Sequence, residues 1–220
     1  MFLQQNPVGV IVAGGEQTPA AREMLDRSDC RVVQIMDTDI DPVDLAIGLD
    51  HERAAYEAVT GLHARGYRNV GFLGARMDPR SQKRLLGYGR AVGAAAASER
   101  VSTSPSPSSA RLGALLLSDL LARWPDTDAV FANNDDVALG AYLECQRRGM
   151  RLPEHFGICG FNDFDLLEEL NPPLSSVRTD RYQMGWQSVN RLIELADTPR
   201  PTGSATIDLG HTCMWRGTTR

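Results

Sequence analysis

AVFANNDDVALGAYLECQRRG, residues 129–149, carries one complete repeat of a fold within itself. Ala129–Ala132 is a short apolar run of the kind that makes a buried strand, and Asn133, Asn134, Asp135 and Asp136 break it with a polar turn. From Val137 the apolar residues return at helical spacing until Arg148, and Gly149 stops them. A strand, a polar loop at its carboxyl end and a helix are the building unit of an α/β fold with parallel sheets and right-handed crossovers.

The same unit recurs on both sides. Upstream, Val8–Ala13 and Arg31–Met36 read as strands, and Thr18-Pro19 opens a short helix between them that runs to about Arg27. Glu52–Arg65 places Ala54, Ala55, Ala58, Val59 and Leu62 on one helix face and ends at Gly66, after which Asn69–Leu73 is a strand. Helices are predicted over 81–95 and 110–123, the second with Leu112, Leu115, Leu116, Leu120 and Leu121 as a buried stripe. Downstream come a strand at Phe156–Gly160, a helical turn at Phe164–Leu170, an extended Leu174–Val177 and a long helix over Arg181–Ala196. That last helix sets Tyr182, Trp186, Val189, Leu192, Ile193 and Ala196 on one side. Residues 94–109, four alanines and then a Ser- and Pro-rich run, are expected to be a surface connection because such a composition makes no core.

Bulk properties narrow the function. A chain of 220 residues with 42% apolar and 23% charged content can bury a substantial core. Its net charge of -5 supplies no basic field for counterion-release binding, so this chain by itself is expected to be a poor nucleic-acid ligand. Cys30, Cys145, Cys159 and Cys213 are far apart, without zinc-ligand or disulfide-framework spacing, and read as buried thiols in a reducing cytosol. No run approaches the roughly 20 apolar residues of a membrane span, and MFLQQNPVGVIVAGG lacks the basic start of a signal peptide. A cytoplasmic location and no membrane partner are therefore expected.

In open parallel sheets, ligands bind in the crevice beyond the carboxyl ends of the strands. Five loops qualify: Gly14-Gly15-Glu16, Asp37-Thr38-Asp39, the GARMDPRSQKR stretch holding Asp78 and Arg84, Asn133–Asp136, and Gly160–Asp163. Together they offer amides, carboxylates and guanidinium groups, the bidentate partners that a sugar or sugar acid needs. The competing reading for a single loop is helix capping, which Asn133, Asn134 and Asp135 are placed to perform. His51 stands at a helix start near the same crevice, whereas His63, His155 and His211 read as ordinary surface or helix histidines. Asp135, Asp136, Asp163 and Asp165 offer a conceivable general acid and base. No nucleophile elbow, zinc-binding His-Glu-x-x-His or phosphate-binding glycine loop accompanies them, so no enzyme, metal or cofactor is expected.

LDHERAAYEAVTGLHARGYRNVGFLGA, QKRLLGY, FANNDDVALGAYLECQRRG, LPEHFGICGFNDFD and NPPLSSVRTDRYQMGWQSVNRLIE, in this order, resemble the lac-repressor/galactose-repressor (LacI/GalR) family of bacterial regulators. VVQIMDTD, LGARMDPRS, NNDDVALGAYLECQRRG and RYQMG are most similar to its gluconate-utilisation repressors. The resemblance implies a periplasmic-binding-protein-like core of type I, with two lobes, each a parallel sheet flanked by helices, and an effector bound between them. It implies homodimers, and operator DNA as a partner only through a helix-turn-helix head that this sequence does not contain. PVGVIVAGG resembles the third strand of such cores, so the first lobe is expected to be incomplete, with an exposed sheet edge.

Lobe boundaries implied by the resemblance are 1–67 with 178–203, and 68–177 with 204–220. Arg84 matches the family's effector-contacting arginine and Asn134 the asparagine of its Asn-Asp-x-x-Ala-Leu-Gly motif. Asn162 stands where many members carry an aspartate, a loss of negative charge that suits an anionic effector. With Glu16, Asp37, His51 and Asp78 these make up the expected effector site. The rival is a sugar-binding protein of a transport system, which shares the architecture.

Overall fold

The computed structural model describes residues 3–5, 7–14, 17–93, 100–201 and 203–220. In chain order the elements are β1 (Gly9–Ala13), α1 (Pro19–Asp26), β2 (Arg31–Ile35), β3 (Leu45–Gly48), α2 (His51–Ala64), β4 (Val70–Ala75), α3 (Pro79–Val92) and β5 (Val101–Ser104). They continue with α4 (Ala110–Arg123), β6 (Ala129–Ala132), α5 (Asp135–Arg147), β7 (Gly157–Asn162), β8 (Ser175–Arg178), α6 (Arg181–Leu195), β9 (Ala205–Asp208) and β10 (Thr212–Met214). A short 3-10 turn covers Asp165–Glu169.

These elements form two units, Met1–Asp50 with Asp180–Gly210, and His51–Thr179 with His211–Arg220. The smaller unit holds a parallel sheet in the order β1-β2-β3-β9. β1 forms one edge of it, with Val8 and Ile11 exposed. Arg31 and Asp44 make a buried two-point ion pair, Nε to Oδ2 at 2.6 Å and Nη2 to Oδ1 at 2.9 Å, which fixes β2 to the turn before β3.

The larger unit holds a sheet ordered β10-β8-β7-β6-β4-β5, parallel except for β10. β6 is buried along its whole length, as its unbroken apolar run requires. Leu117 and Leu120 of α4 and Val137, Ala138 and Ala141 of α5 close one core over it, together with Leu73 and Ile158. On α3, a side chain at Gly87 would collide with the carbonyl of Glu52, so glycine there lets α2 and α3 approach closely and brings His51 near Arg84.

Several expectations change. The α2 helix belongs to the larger unit and β9 pairs with β3 in the smaller, so residues 51–67, 178–179 and 204–210 fall on the opposite side of the implied lobe boundaries. Residues 101–104 are not surface connection but the edge strand β5, with Ser102 buried beneath a bond to Asp119; residues 94–99 lie outside the described ones. Leu115 is exposed rather than part of the α4 stripe. On α6, Tyr182, Trp186, Val189 and Ile193 face outward, and Met184 and Ser188 are the buried positions.

Candidate functional site

In the larger unit β4 has β5 on one side and β6 on the other, so the strand order reverses at β4 and opens the crevice in which such sheets take ligands. Asn133, at the carboxyl end of β6, clips the two strands there. Its Oδ1 accepts from Ala75 N at 3.1 Å, and its Nδ2 donates to Ala75 O and to Ser81 Oγ, each at 2.8 Å. Every polar atom of that side chain is used in this way, which is what full burial demands.

Arg84, on the second turn of α3, is only 7% exposed. Its guanidinium donates to Asn133 O at 2.5 Å and to His51 Nδ1 at 3.3 Å from Nε, and its carbon lies 3.7 Å from the Phe161 ring centroid. Because arginine does not give up its proton, His51 Nδ1 must be an acceptor and the ring proton sits on Nε2. His51, Arg84, Asn133 and Phe161 are thus one packed group, drawn from α2, α3, β6 and β7.

Asn134 and Asp78 are N-caps. Asn134 Oδ1 accepts from Val137 N at 3.0 Å and its Nδ2 reaches Ser108 Oγ at 2.6 Å. Asp78 Oδ1 accepts from Ser81 N at 2.9 Å and Oδ2 from Arg80 at 3.2 Å. Burial alone would raise the Asp78 carboxyl, but the bonds from Ser81 and Arg80 hold it below the usual range. Capping, the competing reading from sequence, accounts for both bonds.

Asn162 closes β7 opposite Arg178 of β8. Its φ of 117° and the 60° of Asp163 are left-handed values that non-glycine residues take at a cost of about 1–3 kcal/mol each. Asp163 is held from all sides: Oδ2 accepts from Arg178 Nε at 2.6 Å, Oδ1 from Arg216 Nη1 at 2.5 Å, and its amide donates to Ser176 Oγ at 3.1 Å. Its burial would raise the carboxyl, yet Arg216 and Arg178 together keep it below the ordinary value. Asp135 lies beneath, accepting from Ser176 Oγ at 2.7 Å and Phe164 N at 2.9 Å, and its burial pushes its carboxyl up. Two of the four carboxylates considered as acid–base partners, Asp135 and Asp163, are therefore bonded into the β7–β8 framework, while Asp136 and Asp165 are exposed.

In the smaller unit Asp37 follows β2, 2% exposed, and its Oδ1 accepts from Asp39 N at 3.0 Å. Gln34, within β2, accepts from Val43 N at 2.7 Å and donates to Gln17 Oε1 at 3.2 Å, and Gln17 reaches Gly14 O at 3.2 Å. Glu16 lies outside the described residues.

Arg84 and His51 thus pack on Phe161, and Asn162 is the next residue of the same strand, with Asn134 and Asp78 as caps of α5 and α3. Sequence reasoning missed Arg178, Arg216 and Gln34. An amide inside the apolar RVVQI run was a legible signal for Gln34, since a buried polar side chain must find partners. Arg178 and Arg216 had none, because only the sheet order brings them to Asp163. Among the described residues, no group of three or more His, Cys, Asp or Glu is placed to hold a metal ion, and no helix is long and apolar enough to cross a membrane.

Residues 59–219 match the periplasmic binding protein-like domain family. The chain is 36% identical over 220 residues to the HTH-type transcriptional regulator GntR of Pseudomonas aeruginosa, covering 99% of this chain and 64% of that protein. It is 31% identical over 211 residues to the HTH-type transcriptional regulator IdnR of Escherichia coli, covering 96% of this chain and 63% of that protein. The crystal structure of transcription regulator GntR from Chromobacterium violaceum superposes with a TM-score of 0.90 at 36% identity, covering 99% of this chain and 80% of that one.

Proposed function

The chain belongs to the periplasmic binding protein-like domain family, as an effector-binding domain of the LacI-family transcriptional regulators, and on that premise we propose that its effector is a sugar acid of the gluconate type. The chain spans about 64% of the length of the Pseudomonas aeruginosa relative and is the sensing part of such a regulator. Binding favours one conformation over another, and that difference in affinity sets the grip of a helix-turn-helix segment on operator DNA. Two copies act together as a homodimer.

The observation that carries this reading is the buried Arg84 guanidinium stacked on the ring of Phe161, the residue that immediately precedes Asn162 on β7. Arginine's planar fork matches a carboxylate in two parallel bonds, and the low-dielectric surroundings of a residue 7% exposed strengthen that attraction. Asn162 contributes an amide that can both donate to and accept from a hydroxyl, without the repulsion that a second carboxylate would bring. His51 orients Arg84. Asn134 and Asp78 contribute chiefly by setting the helix starts that aim these groups.

A transport-associated binding protein is the less favoured reading, because the relatives named above are transcriptional regulators. Thermal-shift measurements with D-gluconate, D-gluconate 6-phosphate, D-glucose and D-galactose test the proposal. A ligand at a hundred times its Kd adds about 2.7 kcal/mol to the folded state, so a true effector raises the melting temperature by several degrees. Stabilisation by neutral sugars alone would overturn the sugar-acid assignment.

A further inference from the structure

We propose that Asp163 is a positioning residue that couples ligand occupancy at the β7 loop to two of the places where the chain passes between its units; this rests on the sensing role proposed above. The chain leaves the larger unit after Thr179 and returns at His211. Arg178 is the last residue of β8, immediately before the departure, and Arg216 follows β10, immediately after the return. One carboxylate, that of Asp163, bonds both guanidinium groups, and Glu168 Oε1 takes the same two at 3.2 Å and 2.5 Å.

The loop so fastened is the one that presents Asn162. Asn162 and Arg178 are register partners at the end of the β7–β8 ladder. The left-handed backbone of Asn162 and Asp163 persists because the carboxylate, the Asp163 amide on Ser176 and the Phe164 amide on Asp135 all fix it. A ligand that engages Asn162 selects among backbone settings of this loop. Each setting displaces the Asp163 carboxylate, and with it the outgoing and incoming strands. Coupling of this sort needs an element with two arrangements that both ends can bias, and a strained turn held by charged bonds is such an element.

Hydrogen–deuterium exchange on the whole chain tests this, using wild type, Asp163→Asn and Arg178→Gln, each without ligand and with saturating D-gluconate. Without ligand, Asp163→Asn should raise exchange about ten-fold at 162–164 and also at 176–180 and 211–216, segments whose opening is then local rather than global. A rise confined to 162–164 overturns the proposal. With D-gluconate, wild type should gain protection at 176–180 and 211–216, and Asp163→Asn should lose that gain even at saturation. A merely structural role would weaken binding yet leave the gain intact at saturation, which also overturns it. Should Asp163→Asn fail to fold, Arg178→Gln, at a side chain 46% exposed, carries the same comparison, read at 162–164 and 211–216. A wild type indifferent to D-gluconate contradicts the sugar-acid reading alone, and the ligand-free comparison still decides the part played by Asp163.

Discussion

The Arg84 guanidinium carbon lies 3.7 Å above the centroid of the Phe161 ring. Phe161 immediately precedes Asn162 on β7, so the ring that positions the cation also fixes the strand end that presents the amide. Lysine at this place keeps the charge but loses the planar fork and its stacking on the ring. Arg84→Lys should therefore weaken D-gluconate binding by about ten-fold or more, roughly 1.4 kcal/mol, with little change in the circular-dichroism spectrum. Equal affinity in isothermal titration would mean that the site uses Arg84 as a point charge only.

Asn162→Asp places a carboxylate in the candidate site. Two like charges close together in a partly buried setting repel by an amount that lowers affinity about ten-fold or more. D-Gluconate binding should fall accordingly in a titration at neutral pH, and any response to a neutral sugar should not. Parallel loss for both ligands would point to the backbone strain at Asn162 instead of to charge.

Asn134→Ala removes the α5 cap and should cost about 1 kcal/mol of stability, read as a lower urea midpoint for the larger unit. Asn134→Asp keeps an acceptor at the helix start and should retain most of it. If Asn134→Ala abolishes ligand binding without lowering stability, the residue acts on the ligand and not as a cap.

The α/β alternation, the helix faces and the cap at Asn134 were legible because they are written in local spacing: apolar runs for strands, three- and four-residue repeats for helices, short acceptors before helix starts. β5 was hidden, since VSTS has neither an apolar run nor clear alternation and becomes a strand only by adding to the edge of β4. β9 and β10 are likewise defined by the neighbours they pair with, β3 and β8, far away in sequence. The position of α2 depended on Gly87, whose significance comes from the Glu52 carbonyl it meets. For the candidate site, Arg84 and Asn162 followed as expectations from loop position and from the family resemblance. The bonds that Asp163 receives did not, because sequence spacing says nothing of two arginines that arrive from β8 and from beyond β10.

Glu144 on α5 receives bonds from Arg148, Arg147 and Ser118, and these hold its carboxyl down at about 2 from an ordinary 4.5. A carboxylate depressed by folding stabilises the native state fully above its unfolded value, and the contribution disappears as pH falls through the folded one. Acid titration of stability should thus show a loss between about pH 4.5 and pH 2 that is smaller in Glu144→Gln. Identical acid limbs would show that the α4–α5 cluster contributes nothing in solution.

Burial pushes the Cys145 thiol up to about 12 and the Cys213 thiol to about 11, and it raises Cys159 well above its ordinary value. The thiolate is the reactive form, so alkylation at pH 8 should be slow at all three until the protein unfolds. Mass spectrometry after a brief iodoacetamide pulse should find Cys30, which is partly exposed, modified first. Early labelling of Cys159 would contradict the packing of β7.

The most direct measurement is isothermal titration of the chain with D-gluconate and with D-glucose, repeated for Arg84→Ala. The account predicts saturable one-site binding of D-gluconate, much weaker or no binding of D-glucose, and loss of the gluconate signal in a folded Arg84→Ala variant. Equal binding of the two sugars, or full gluconate affinity without the guanidinium, would contradict a sugar-acid sensor built around Arg84.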